Sequence, residues 1–254
     1  MAAAIWQLGV MATRLVHLVV DAADPARLAR FWAAALDWEV AAEEPDEVVV
    51  WPPGFSYPGP SALPLVFVPV PDPKTGKNRP HLDLASASAG HQAALVRRLR
   101  DLGARPADIG QGEVPWVVLA DPEGNEFCVL EPRPVYAGTG PVAAIVVDCA
   151  DPEALARFWA GAAGWLPHGP GGGLCSLRSP GGGPYLELLR AGGAKTVKNR
   201  IHLDVAPRPD DDYQAEVIRL RQSGARPADV GQGEVPWVVL ADPEGNEFCV
   251  LSAR

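Results

Sequence analysis

The chain carries one long stretch twice. Residues Gly103 to Leu130 and Gly224 to Leu251 are 28 residues each and differ at a single position, Ile109 against Val230. Any fold must therefore use this stretch in two equivalent places, which divides the 254 residues into two modest units. Inside it, Trp116 to Ala120 and Glu126 to Leu130 are rich in β-branched and aromatic residues and read as two short strands. Asp121-Pro122-Glu123-Gly124 between them is a tight turn. The proline presets φ at the second position, and the glycine takes the left-handed conformation that closes a bulged hairpin.

The segments leading to the hairpin repeat as well. Asp24 to Trp38 and Asp151 to Trp165 are identical at 10 of 15 positions. Asp24 offers an N-cap with Pro25 at the first helical position, and Leu28, Phe31, Trp32, Ala35 and Leu36 form one apolar helical face. Arg14 to Asp21 reads as a strand before this helix. Glu39 to Glu43, Glu47 to Trp51 and Leu63 to Val70 read as three strands after it. The pattern then restarts with a strand at Arg79 to Leu84, a helix at Gln92 to Leu102 ended by Gly103, a strand at Ala104 to Ile109, and the hairpin. Each half is thus βαβββ twice.

Residues 131–141 form a linker by their Pro and Gly content. The offset between copies falls from 127 at the helix to 121 at the hairpin, so the second copy is six residues shorter in its middle strands. Its glycine runs, Gly169 to Gly173 and Gly181 to Gly183, match neither GxxxxGK[ST] nor a GxGxxG opening a helix, and read as hairpin loops.

A formal charge of −9 argues against nucleic acid or an acidic membrane as partner, since both need a basic patch. No run of 18 apolar residues is present. The start, MAAAIWQLGV, lacks the basic region of a signal peptide and reads as a loose extension. Cys128, Cys149, Cys175 and Cys249 show no CxxC spacing, which suits reduced thiols in a cytoplasmic protein.

HLVVDAADPARLARFWAAALDW, KNRPHLDL and WVVLADPEGNEFCVL, in this order within paired βαβββ modules, resemble the vicinal oxygen chelate superfamily. The chain is most similar to the glyoxalase-like domains found in tandem in actinobacteria. The resemblance implies an α+β fold of two tandem domains, over residues 12–132 and 141–254. Each would be two βαβββ modules forming a cupped mixed sheet with helices outside. It implies a monomer that is an internal pseudo-dimer, or a homodimer, with a small molecule or a metal on the concave face. Members include glyoxalases, extradiol dioxygenases, epimerases, fosfomycin-modifying enzymes and metal-free drug-binding proteins, so the reaction must be argued from the site.

Metal-dependent members place ligands on the first, fourth, fifth and eighth strands of a cup. Here the first strand offers His17, against Ala144 in the second copy. The fourth offers Val66, against Glu187, and the fifth His81 and His202. Cys128 and Cys249 replace the family's usual glutamate on the eighth. If each cup takes its modules from one half, the sets are His17, His81 and Cys128, or Glu187, His202 and Cys249. If modules are exchanged, they are His17, His202 and Cys249, or Glu187, His81 and Cys128. No set holds two histidines and a carboxylate, although zinc accepts thiolate.

Alternation along the fifth strand puts Arg79, His81 and Asp83 on one face, with Arg200, His202 and Asp204 in the second copy. Each row is either a mutually paired network at a domain junction or the polar floor of a ligand cavity, with Arg79 as the anion contact. Cys128 reads as a small cup-lining residue. Trp116 and Trp237 are walls over a ligand or core residues. Phe55 and Tyr57, in the longer middle segment of the first copy, read as an aromatic flap over the cup containing His17. The expectation is a cofactor-free protein that binds a small, partly aromatic or anionic molecule in that cup, for sequestration or resistance. The alternative is a metal-dependent lyase, isomerase or dioxygenase-like enzyme using His17 and His81.

Overall fold

The computed structural model of the protein describes residues 13–57, 59, 62–169, 171–191, 193 and 195–253. The N-terminal extension at 1–10, the domain start at 12 and parts of the flap and glycine-run segments (Pro58, Pro60, Ser61 and Pro170) lie outside the described residues.

Four βαβββ modules follow one another. Module one holds β1 (Thr13–Ala22), α1 (Pro25–Leu36), β2 (Glu39–Glu43), β3 (Val48–Trp51) and β4 (Leu65–Pro69). Module two holds β5 (Pro80–Leu84), α2 (Ala89–Asp101), β6 (Arg105–Pro106), β7 (Val117–Ala120) and β8 (Glu126–Val129). Module three holds β9 (Val142–Cys149), α3 (Pro152–Ala163), β10 (Leu166–His168), β11 (Leu174–Arg178) and β12 (Tyr185–Arg190). Module four holds β13 (Ile201–Pro207), α4 (Tyr213–Gln222), β14 (Arg226–Pro227), β15 (Val238–Ala241) and β16 (Glu247–Val250). Among the described residues, no helix is long and apolar enough to cross a membrane.

The modules pair across the halves. One eight-stranded mixed sheet runs β14-β15-β16-β13-β1-β4-β3-β2, joining module four to module one through the antiparallel β1–β13 pair. The other runs β10-β11-β12-β9-β5-β8-β7-β6, joining modules three and two through β5–β9. Of the arrangements the sequence left open, the exchanged one is realised. We call the helix-free face of the first sheet the first cup, and that of the second sheet the second cup.

On the opposite faces, alternate strand residues meet the helices in one core. Leu18, Leu65 and Phe67 of the first sheet, Leu82, Ile145 and Leu186 of the second, and Phe31, Trp32, Phe158 and Trp159 of α1 and α3 all belong to it. Burying each of these large side chains contributes roughly 1.5–3 kcal/mol. Here the helices tie consecutive modules together. Trp32 of α1 meets Phe127 of β8 edge-on at 5.1 Å between ring centroids, and Trp159 of α3 meets Phe248 of β16 at 5.3 Å. Strand pairing thus joins one to four and two to three, while aromatic packing joins one to two and three to four.

The repeated hairpin is the lock for this arrangement. Asp121 is 2 % exposed; its Oδ1 accepts the backbone N–H groups of Glu123 and Asn125, and its Oδ2 accepts the Trp32 indole N–H at 3.2 Å. Asp242 accepts the Trp159 indole in the same way. Burial pushes both carboxyls above the ordinary aspartate value, against the pull of these donors. Glu123 accepts the Ala23 and Asp24 N–H groups at 2.8 Å, just ahead of α1, and Glu244 does the same at Ala150 and Asp151 ahead of α3.

Two elements differ from the sequence expectation. The strand expected at Ala104 to Ile109 is paired only over Arg105–Pro106, because Asp108 turns the chain by accepting the Gly110 N–H at 2.8 Å. Helix α2 begins at Ala89, three residues early, capped by the Ser88 hydroxyl accepting the His91 N–H.

Candidate functional site

Each cup is floored by the central strands. In the first, His17 lies two residues from Val19 on the cup face of β1 and pairs in register with Asp204, with a bulge between Leu15 and His17. Asp204 pairs in register with Cys249, and His202 with Val19. His17, His202, Asp204 and Cys249 therefore converge. His17 Nδ1 lies 3.8 Å from Asp204 Oδ2, His202 Nε2 lies 3.5 Å from Asp204 Oδ1, and the Cys249 sulfur lies 3.6 Å from His202 Nε2. The wall beyond is apolar, with Val19, Val49 and Val66 packed beside Trp51. Tyr57 lies over His17 with ring centroids 5.5 Å apart, and Phe55 packs on Trp51 at 5.8 Å. The flap segment thus reaches the cup through its tyrosine.

The second cup repeats the floor with one substitution on each flank. Asp83 faces Ala144 and Cys128, and His81 Nε2 lies 3.4 Å from Asp83 Oδ1. Ala144 stands where the first cup has His17, and Glu187 stands where it has Val66. Glu187 is 6 % exposed and its carboxyl is raised, chiefly by burial and then by the nearby Asp83 charge. Its Oε1 accepts the Tyr136 hydroxyl at 3.0 Å and the Ser176 hydroxyl at 3.2 Å.

Tyr136 comes from the linker, in a short 3-10 turn at Pro134–Tyr136. Its ring is buried among Cys128, Leu130, Ala144, Val146 and Tyr185, meeting the Tyr185 ring edge-on at 5.7 Å. Arg133 lies 5.6 Å above the Trp116 ring. The linker therefore fills the second cup. Linker composition gave no sign of this, and Arg133, Tyr136 and Ser176 were not singled out from sequence. The signal available was an aromatic and a cation inside a Pro-rich segment, beside a copy-specific glutamate on the strand facing it.

The pairing of strands overturns one expectation. His17 is on β1 of the first sheet and His81 on β5 of the second, so these two histidines cannot share one cup. The arginines of the two rows are engaged at the junction between the sheets. Arg79 donates to the Asp148 carbonyl and pairs with Glu244 at 2.8 Å, while Arg200 donates to the Asp21 carbonyl and lies 3.5 Å from Glu123. A cleft of about 440 Å³ at this junction is also lined by Lys74, Lys77, Lys195 and Lys198. Each of these four lysines is paired with a carboxylate.

The two cups offer the donor groups His202–Asp204–Cys249 and His81–Asp83–Cys128, each with three ligand atoms within 4.8 Å of one another. Burial is the main cause that pushes both thiols far above the ordinary cysteine value, with the adjacent aspartate adding to it. Neither is a ready nucleophile. The repeat itself is read differently in the two places: Cys128 is buried and Trp116 half-buried, whereas Cys249 is half-buried and Trp237 is 37 % exposed.

The family model described as Glyoxalase-like domain matches residues 17–130 and 144–251. Among solved structures, glyoxalase I from Zea mays matches at 15 % identity and a TM-score of 0.66, over 95 % of this chain and 92 % of that one. A Bacillus subtilis protein named as a candidate dioxygenase matches at 14 % identity and a TM-score of 0.60, over 95 % and 85 %. At these identities the likeness is one of fold. No curated protein sequence matches the chain.

Proposed function

Because the chain belongs to the glyoxalase-like domain family, we propose that it binds a small, partly aromatic or anionic molecule in its first cup, without a resident metal. The supporting observation is the unequal exposure of one repeat in two places. Trp237 and Cys249 are more exposed than their counterparts Trp116 and Cys128, beside which the linker packs. Modules one and four are not consecutive, and among the described residues no segment like the linker runs between them. A ligand there sets its apolar part on Val49, Val66 and Trp51, and its polar atoms face His17, His202 and Asp204. Tyr57 closes over it from the flap.

A second reading is a metal enzyme in the same cup. It is favoured by the His202–Asp204–Cys249 group, in which Asp204 Oδ1 is buried with no hydrogen bond. The donor set fits zinc, with His17 beside it, and the ion would polarise an oxygen of the substrate. One observation weighs against it: Val66 occupies the fourth-strand position.

Elemental analysis of protein purified without chelators, followed by titration of wild type, His17→Ala and Glu187→Ala with benzoate-type compounds that carry no hydroxyl, tests both. The expected result is no stoichiometric transition metal, with affinity about tenfold lower in His17→Ala alone, the cost of about 1–3 kcal/mol for unpaired polar atoms. One equivalent of zinc, iron, nickel or manganese that is lost in Cys249→Ser would establish the second reading instead. Loss of affinity in Glu187→Ala alone would place the ligand in the other cup.

A further inference from the structure

We propose that the second cup is a separate binding site for hydroxyaryl compounds, which the chain's own linker occupies with Tyr136 as an internal surrogate. The argument starts from Glu187. A carboxyl group in an apolar cup is costly to bury, and the fold does not require one there, because the equivalent position in the first cup is Val66. Its place is explained by a ligand that brings a hydroxyl donor. Tyr136 brings one, at 3.0 Å, and Ser176 supports the same oxygen.

The rest of the pocket matches a phenol ring. Ala143 and Ala144 leave room over the floor where the first cup has Val16 and His17, and the Tyr185 ring meets the occupant's ring edge-on. Tyr185 is itself fixed, donating its hydroxyl to the Val135 carbonyl and accepting from Arg178 at 3.1 Å.

The plug is attached by few bonds. Beyond the Tyr136 hydroxyl and the Val135 carbonyl, which accepts the Tyr185 hydroxyl at 3.3 Å, the linker turn is held by Tyr136 N–H to the Arg133 carbonyl at 3.1 Å and by Thr139 on the Tyr136 carbonyl, both within the linker. Lifting it breaks no bond of the β5–β9 ladder. The cup therefore opens locally, below the free energy of global unfolding, and a free hydroxyaryl molecule competes with Tyr136 for Glu187.

Two measurements test this. In native-state hydrogen exchange of the wild type, the Tyr136, Ala137 and Thr139 amides are expected to exchange through local opening, well before those of Leu82 and Ile145, and faster when p-cresol is added. Equal protection of linker and strands, or no response to p-cresol, would make the linker a permanent part of the core and overturn the proposal. In Tyr136→Ala, p-cresol is expected to bind at least about tenfold tighter than toluene, a difference of about 1.4 kcal/mol. Adding Glu187→Leu should abolish that preference. Equal binding of the two compounds to a folded Tyr136→Ala would show an apolar hole and no recognition. All these variants keep the first cup intact, so failure here leaves the reading of that cup standing.

Discussion

Trp32 and Asp121 show how a single contact explains a repeated motif. The indole N–H reaches a carboxylate in the buried turn of another module, and Trp159 does the same to Asp242. Trp32→Phe keeps the edge-on contact with Phe127 but removes one donor from a buried carboxyl. It should lower the stability of the whole chain by about 1–3 kcal/mol in urea unfolding, with Trp159→Phe costing a similar amount. A loss below the scatter of the measurement in both variants would show the two bonds to be incidental. At this scale the sequence was informative where side chains act on their own strand. His17, Cys128, Glu187 and the His-x-Asp rows all fall on cup faces, as alternation requires. It was uninformative where partners are distant in the chain. Nothing local to Arg79 points to Glu244, and nothing local to Tyr136 points to Glu187, since those pairings exist only once the modules have exchanged.

Elements were legible to the extent that period and caps fix them. The apolar spacing of Leu28, Phe31, Trp32, Ala35 and Leu36 and the Asp24-Pro25 start give α1 at the expected place, and β2 has the expected bounds. The two-residue β6 was not legible, because an Asx turn at Asp108 competes with pairing in a stretch that otherwise reads as extended. The hairpin turn rests on Gly124, whose φ of 86° lies in the left-handed region. A Cβ there would meet only Lys74 Cδ at 3.7 Å, so the penalty for a side chain is conformational rather than steric crowding. Gly124→Ala should cost about 1–2 kcal/mol, and Gly124→Asn clearly less, since asparagine tolerates this region. Thermal unfolding of the two variants checks the order; an alanine variant as stable as the asparagine one would mean that the turn relaxes to another type.

The molecule as a whole is held by two different pairings laid across each other. Residues 17–130 match one copy of the family model and span nearly all of modules one and two, which share the Trp32–Phe127 contact and the Asp121 lock. Yet both central strands in that half, β1 and β5, find their antiparallel partners, β13 and β9, in the other half. A sequence repeat therefore marks a unit joined by aromatic packing and the buried turn, while each sheet and each cup is made by two halves together. The consequence is specific. A chain of residues 12–132 alone leaves unpaired the edges of β1, ten residues long, and β5, five residues long, which invites pairing with another copy. It should fold as a dimer, with module one of each copy beside module two of its partner, and should not persist as a folded monomer. Sedimentation equilibrium together with circular dichroism across a dilution series reads this directly, with strand signal lost as the dimer dissociates. A half-chain that stays monomeric and keeps cooperative unfolding at micromolar concentration would show that one half can close a cup by itself, and that the exchange of modules is a preference of the linked chain rather than a requirement of the fold.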